Sequence, residues 1–296
     1  MRIDPELAAT VVAVVDEGTL EAAARRLSVT PSAVSQRIKS LEQQVGRVLL
    51  VRAKPVRPTA AGEVVLRLAR QLALLEHDAV SALELERGSG RPITIPLAVN
   101  ADSMGTWFLA PLARMAERHP VVFELHRDDQ DFTAGLLETG TVMAAVTSQS
   151  SPVAGCTVRA LGVLRYEAVA APGYMARWLP DGADAAALAR APLVDFDRRD
   201  DLQTLWLRAQ KIPLDAVVRH FVPASHDFAE AVHRGLGWGM LPPMQCADGL
   251  ADGSLVRLGG NPISVALYWQ QWNLRSPLLA AIADEVAAEA GRVLER

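Results

Sequence analysis

Two cysteines in 296 residues, Cys156 and Cys246, stand far apart in the chain. So sparse a pair suits a reducing compartment and excludes a disulfide-stapled scaffold; each reads as a small buried hydrophobe. No apolar run approaches the roughly 18–20 residues that span a bilayer. The start, "MRIDPELAATVVAVVDEG", puts Asp4 and Glu6 ahead of its apolar stretch and lacks a cleavage site, so no secretory signal is expected and the chain is expected to be cytoplasmic. G-x-S-x-G and H-E-x-x-H are absent, and the six histidines have no metal-ligand spacing. "GLGWG" (235–239) lacks a preceding strand and the full G-x-G-x-x-G spacing, so it reads as a tight turn from a helix into a strand, not a nucleotide loop. "DFDRRDD" (195–201) imitates a cation loop but encloses two arginines. Aromatics are only 5 % of residues; Trp107, Trp238, Trp269 and Trp272 read as core or cleft walls in preference to an aromatic box. With neither a nucleophile–base set nor a cofactor loop, the expectation is a protein that is not an enzyme and carries no metal or cofactor.

What is present describes a folded, divided chain. Half the residues are hydrophobic and 22 % charged, and the length allows two or three domains. The net charge of −4 is unevenly spread: residues 1–58 hold nine Lys/Arg against six Asp/Glu, a balance of +3, and the remainder carries −7. A small basic module on an acidic body fits a nucleic-acid reader joined to a sensing part.

Residues 5–17 read as a helix capped by Asp4 with Pro5 in its first turn and Gly18 as its stop. Thr19 caps a second helix, "LEAAARRL". After the turn "SVT", Thr30 caps a third, "PSAVSQRIKSLEQQV", opened by Pro31. Two short helices around a three-residue turn have the helix-turn-helix spacing. "RVLLVRAKPVRPT" (47–59) alternates aliphatic and basic residues like a β-ribbon wing. Thr59 then caps a helix of about 27 residues, roughly 40 Å long, that calls for a partner helix. "RGSGRP" (87–92) is a linker. Beyond it strands are expected at 93–100, 121–128, 143–148, 166–172 and 265–272. Helices are expected at 106–118, 132–139, near 201–210 and 226–234, and at 276–294, an α/β domain with a parallel sheet.

In a helix-turn-helix the second helix enters the major groove. Ser32, Ser35 and Gln36 would then reach base edges, while Thr30, Arg37 and Lys39 contact bases or phosphates. Arg52, Lys54 and Arg57 on the wing would follow the backbone electrostatically. The bland alternative is a helical hairpin with a solvated face.

"LSVTPSAVSQRIKSLEQQVGRVLLVR", with "AAARRL" before it and "RPTAAGEVVL" after it, closely resembles the DNA-binding module of LysR-type transcriptional regulators. The resemblance covers the whole chain. It implies a winged helix-turn-helix (1–58), a dimerising linker helix (59–90) and a two-lobed α/β effector domain (91–296) similar to periplasmic binding proteins. Lobe I would hold 91–163 and 268–296 and lobe II 164–267, with hinges near 162–166 and 264–268. "VNADSMGTWF", "DDQD", "AAVTS", "DFDRRDDLQ", "GLGWGMLP" and "LYWQQW" resemble the ArgP/LysG branch, regulators responsive to basic amino acids.

On that resemblance a cleft between the lobes would bind L-lysine or L-arginine. Asp102 and Ser103, at a helix N-terminus, would hold the α-carboxylate through Ser103 and backbone amides; Asp128, Gln130, Thr147, Asp197, Asp200, Ser225 and His226 would complete the site. Several carboxylates suit a ligand with two cationic groups. His226 departs from the acidic residue expected there in the branch. The implied partners are double-stranded promoter DNA, a second copy or a tetramer, and RNA polymerase, with no membrane. The rival readings are an architectural DNA-binding protein without effector control, and a solute-binding transport protein, which leaves residues 1–90 without a purpose.

Overall fold

A computed structural model describes residues 3–83, 92–127, 133–214 and 217–296. The N-terminal module packs α1 (Pro5–Glu17), α2 (Leu20–Arg26) and α3 (Pro31–Val45) around Val11, Val14, Ala23, Val34 and Leu41. Its helix ends follow from local chemistry. The Asp4 carboxylate accepts from the Glu6 amide, Thr19 Oγ1 from Ala22 and Thr30 Oγ1 from Ala33, each satisfying an N-terminal N–H that the helix leaves unpaired. The wing is β1 (Leu50–Val51) paired antiparallel with β2 (Arg57–Pro58). Thr59 Oγ1 then accepts from Gly62 at the head of α4 (Ala60–Ala82), a helix of 23 residues and so about 35 Å long.

The larger domain begins with β3 (Ile93–Val99), α5 (Ala101–Thr106), α6 (Leu109–Arg118), β4 (Val121–Arg127), α7 (Thr133–Glu138) and β5 (Ala144–Thr147). A strand of 15 residues, β6 (Cys156–Ala170), leads into a second lobe: α8 (Pro172–Trp178), α9 (Ala185–Leu188), β7 (Leu193–Asp195), α10 (Leu202–Ala209), β8 (Arg219–Phe221), α11 (Ser225–His233), β9 (Gly239–Leu241), α12 (Pro243–Asp252) and β10 (Val256–Arg257). The chain returns through β11 (Ile263–Trp272) to α13 (Pro277–Val293).

The sheet is mixed, which corrects the expected parallel one. β3 runs parallel to β4 and β5, and β7 to β8, whereas β11 is antiparallel to both β5 and β6, and β6 also pairs antiparallel with β9 and β10. β6 starts at Cys156, ten residues before the strand expected from 166, and the single helix expected at 106–118 is two, α5 and α6. Gly162 sits where β6 and β11 shift register, opposite Leu267. Its φ of +143° and the approach of Glu295 O and Leu294 Cβ to within 2.8 Å of where a Cβ would stand both require glycine.

A charged joint connects the two domains. Arg70 of α4, 6 % exposed, pairs with Asp16 of α1 at 2.6 Å and donates to the carbonyls of Gly140 (2.6 Å) and Thr141 beyond α7. Arg26 also reaches Asp16 (3.0 Å), and Arg67 donates to Leu137 O. Leu74 of α4 belongs to the core of the larger domain. Removing one partner of a buried ion pair strands the other, so Arg70→Met should lose about 3–5 kcal/mol in denaturant unfolding; a loss under about 1 kcal/mol would mean that this joint is not holding the domains.

Candidate nucleic-acid interface and ligand cleft

At about 100° per residue, Ser32, Ser35, Gln36 and Lys39 share one face of α3, opposite the buried Val34, Ile38 and Leu41. Thr30 caps the helix and shares a hydrogen bond with the Ser32 hydroxyl (2.9 Å). Arg37 turns about 100° away from Gln36, and its guanidinium is tied to Glu6 of α1 at 2.6 Å. The structure therefore gives Arg37 a module-bracing contact in place of a free position beside Gln36. Arg52, Lys54 and Arg57 are all exposed on or beside the wing.

The two lobes of the larger domain line a cavity of about 130 Å³. It lies at the carboxyl ends of β3, β4 and β7, where open α/β sheets bind ligands. Asp102 and Arg127 enter it from the first lobe, and Asp197, Asp200 and Arg199 from the second. Asn100, Phe196, Gln203, Phe228 and Met240 complete much of the wall.

Asp102 is clasped from both sides. Its Oδ1 accepts from the Ser225 hydroxyl (2.7 Å), at the start of α11, and its Oδ2 from the Tyr166 hydroxyl (2.8 Å) on β6. Burial pushes its carboxyl above the usual range, and these two hydrogen bonds oppose that shift. Asp200 accepts from the backbone amides of Phe196 and Leu202, both at 3.1 Å. Burial still pushes it up to about 6; the two amides lower it, and the nearby Asp195 and Asp102 charges add to the rise. Asp197 accepts from the amides of Arg199 (2.7 Å) and Asp200 (3.1 Å). The loop after β7 thus folds on its own carboxylates and presents them to the cavity.

Of the expected ligand residues, Asp102, Asp197 and Asp200 meet in this cavity, and Ser225 stands behind Asp102. Three do not line it. Ser103 is fully buried with its hydroxyl unpartnered among the described residues, and α5 is capped at Asn100, not at Asp102 or Ser103. Thr147 is buried at the end of β5, where its hydroxyl accepts from the Gln149 amide. His226 is exposed on the first turn of α11. Asp128 and Gln130 lie outside the described residues. The reading by residue type missed Arg127 and Asn100, although both stand at the carboxyl ends of strands it had located. No group of metal-binding side chains occurs among the described residues, and none of their helices is long and apolar enough to cross a membrane.

A winged helix-turn-helix joined by a long helix to a two-lobed domain with an interlobe cavity defines a DNA-binding regulator with a small-molecule sensor. Residues 6–63 match the bacterial regulatory helix-turn-helix protein family of LysR type, and 91–291 match the LysR substrate binding domain. The chain belongs to the LysR family of transcriptional regulators. It is 48 % identical over 294 residues to the HTH-type transcriptional regulator LysG of Mycobacterium tuberculosis, covering 97 % of this chain and 95 % of that one. The crystal structure of ArgP from Mycobacterium tuberculosis superposes with a TM-score of 0.85 at 46 % identity, covering 99 % of each chain. Full-length LysG from Corynebacterium glutamicum with bound effector Arg superposes at 0.77 and 37 % identity, covering 99 % of this chain and 100 % of that one.

Gln36, expected at a base edge, and Arg52, expected at phosphates, can be told apart by mutation. Gln36→Ala should relax sequence preference, each lost base contact costing about 1–3 kcal/mol, whereas Arg52→Ala should weaken all sequences alike and flatten the salt dependence. Gel shifts on cognate and scrambled duplexes across a salt series distinguish them, and identical behaviour would contradict the division.

Proposed function

We propose that this chain is a cytoplasmic, ligand-responsive transcription regulator whose effector is a basic amino acid, lysine or arginine. Its target would be an amino-acid exporter or a related metabolic gene. The observation that carries this reading is the interlobe cavity: Asp102 and Asp200 are buried there at a cost that a bound cation offsets. The arginine held by LysG of Corynebacterium glutamicum supports the same ligand class.

In the proposed mechanism, α3 reads the major groove of promoter DNA and the wing follows its backbone. Paired α4 helices carry two such modules to the half-sites of a partly palindromic site, within a homodimer or homotetramer. A ligand that touches both lobes favours one lobe arrangement by its differential affinity. The Arg70 joint passes that preference to the DNA-binding module, which alters the DNA path and access for RNA polymerase. No step requires covalent chemistry or a cofactor.

Calorimetry on the full chain tests the ligand class. L-arginine or L-lysine should bind, and L-glutamate should not. Asp200 is charged above about pH 6 and neutral below it. A cation therefore binds more weakly at pH 5 than at pH 7, and binding near pH 6 releases protons. In the ligand-free protein the sign is the reverse for stability: this group's contribution is present below the ordinary carboxylate range and is lost as pH rises through about 6. Flat titrations with both basic amino acids at pH 7 would overturn the proposal.

A further inference from the structure

The cavity holds cations of its own, and one of them has no counter-charge among the described residues. Elsewhere in the larger domain Arg114, Arg118, Arg159, Arg219 and Arg257 each reach a carboxylate; Arg177, Arg190, Arg198, Arg208 and Arg275 reach none among the described residues, and none of them lines the cavity. In the cavity, Arg199 has Asp197 at 3.6 Å. Arg127, by contrast, reaches no carboxylate among the described residues. It closes β4 of the first lobe, and both of its contacts are neutral groups of the second. Nη1 donates to the Pro223 carbonyl at 3.0 Å, and the guanidinium lies 5.6 Å from the centre of the Phe196 ring. One of its five N–H donors is thereby engaged with a described partner.

The cavity wall therefore carries both signs: carboxylates at Asp102, Asp197 and Asp200, and a guanidinium with no carboxylate partner among the described residues. A wall built only to hold a cation gains nothing from that guanidinium, because like charges repel in a partly desolvated cleft. A zwitterion answers both parts, with its ammonium groups facing the acids and its carboxylate facing Arg127 in a two-pronged pair. The Ser103 hydroxyl, expected to take the carboxylate, is buried away from the cavity, so Ser103 itself does not hold that end of the ligand.

We propose that Arg127 is the specificity-determining residue that holds the carboxylate of the ligand and excludes amines bearing the same side chain without a carboxylate. This rests on the basic amino-acid reading above. A carboxylate captured here would be held by a first-lobe side chain braced on second-lobe groups, so the same contact favours lobe closure. A decarboxylated amine instead leaves Arg127 unpaired beside a second cation, a repulsion that works against the wrong ligand.

Calorimetry with the full chain decides the matter, using L-arginine and agmatine, its decarboxylated counterpart. The wild-type chain should bind L-arginine at least ten- to a hundredfold more tightly than agmatine, the range for charge-assisted hydrogen bonds. Arg127→Gln should lose most of its arginine affinity while agmatine binding holds or improves, so the two ligands converge to within about fivefold. Arg127→Lys, which keeps the charge without the fork, should fall between. Arg127 is exposed, so both variants should keep the wild-type melting temperature. Equal losses for both ligands in Arg127→Gln would overturn the assignment. So would an Arg199→Gln variant that abolishes the preference while Arg127→Gln retains it. Failure of the wild-type chain to bind either arginine or lysine would instead overturn the ligand class, and this assignment with it.

Discussion

The antiparallel pairing of β6 with β11 governs the rest of the sensor. These strands run side by side from Ile263 opposite Tyr166 to Trp272 opposite Cys156, so the two lobes share one sheet and cannot separate. The ladder is interrupted at Gly162 and the register shift after Leu267, and Glu295 adds a backbone pair with Val163 there. Tyr166, near that point, reaches Asp102 with its hydroxyl. Tyr166, four residues beyond Gly162, thus ties β6 to the acidic wall of the cavity through a single hydrogen bond.

Charge burial explains why such a cavity is selective. Desolvation raises both Asp102 and Asp200, and the hydrogen bonds around them recover only part of the cost. Glu285 shows the opposite outcome: it is paired by Arg114 and Arg118 and held below the usual range. The Arg70 joint makes the sensor's first lobe and the DNA-binding module neighbours through α4, giving the proposed coupling a physical path.

Much of this was legible in the sequence because its causes are local. Asp4, Thr19, Thr30 and Thr59 announce helix starts through side-chain oxygens that act within three residues, and the structure shows each doing so. Gly18 and Gly46 mark helix ends through their left-handed backbones. The sheet was less legible. The start of β6, "TVRALGVLR", interleaves arginines with its apolar residues, and its partner β11 lies about 100 residues away, so neither strand direction nor length is written locally. The cleft was half legible. Residue type pointed to Asp102, Asp197 and Asp200, but Ser103 faces the core because α5 begins one turn earlier than its polar residues suggest. Arg127 was not legible because residue type alone marks it as a surface cation, and its lack of a carboxylate partner among the described residues is visible only in three dimensions.

The central claim is that a basic amino acid in the interlobe cavity changes how the winged modules sit on DNA. A nuclease footprint of the full chain on its promoter, with and without saturating L-arginine, tests it most directly. The account predicts that arginine shifts the protected edges or the bend-induced hypersensitive positions, and that Asp200→Ala, still bound to DNA, shows no shift. Identical footprints with arginine demonstrably bound would contradict it.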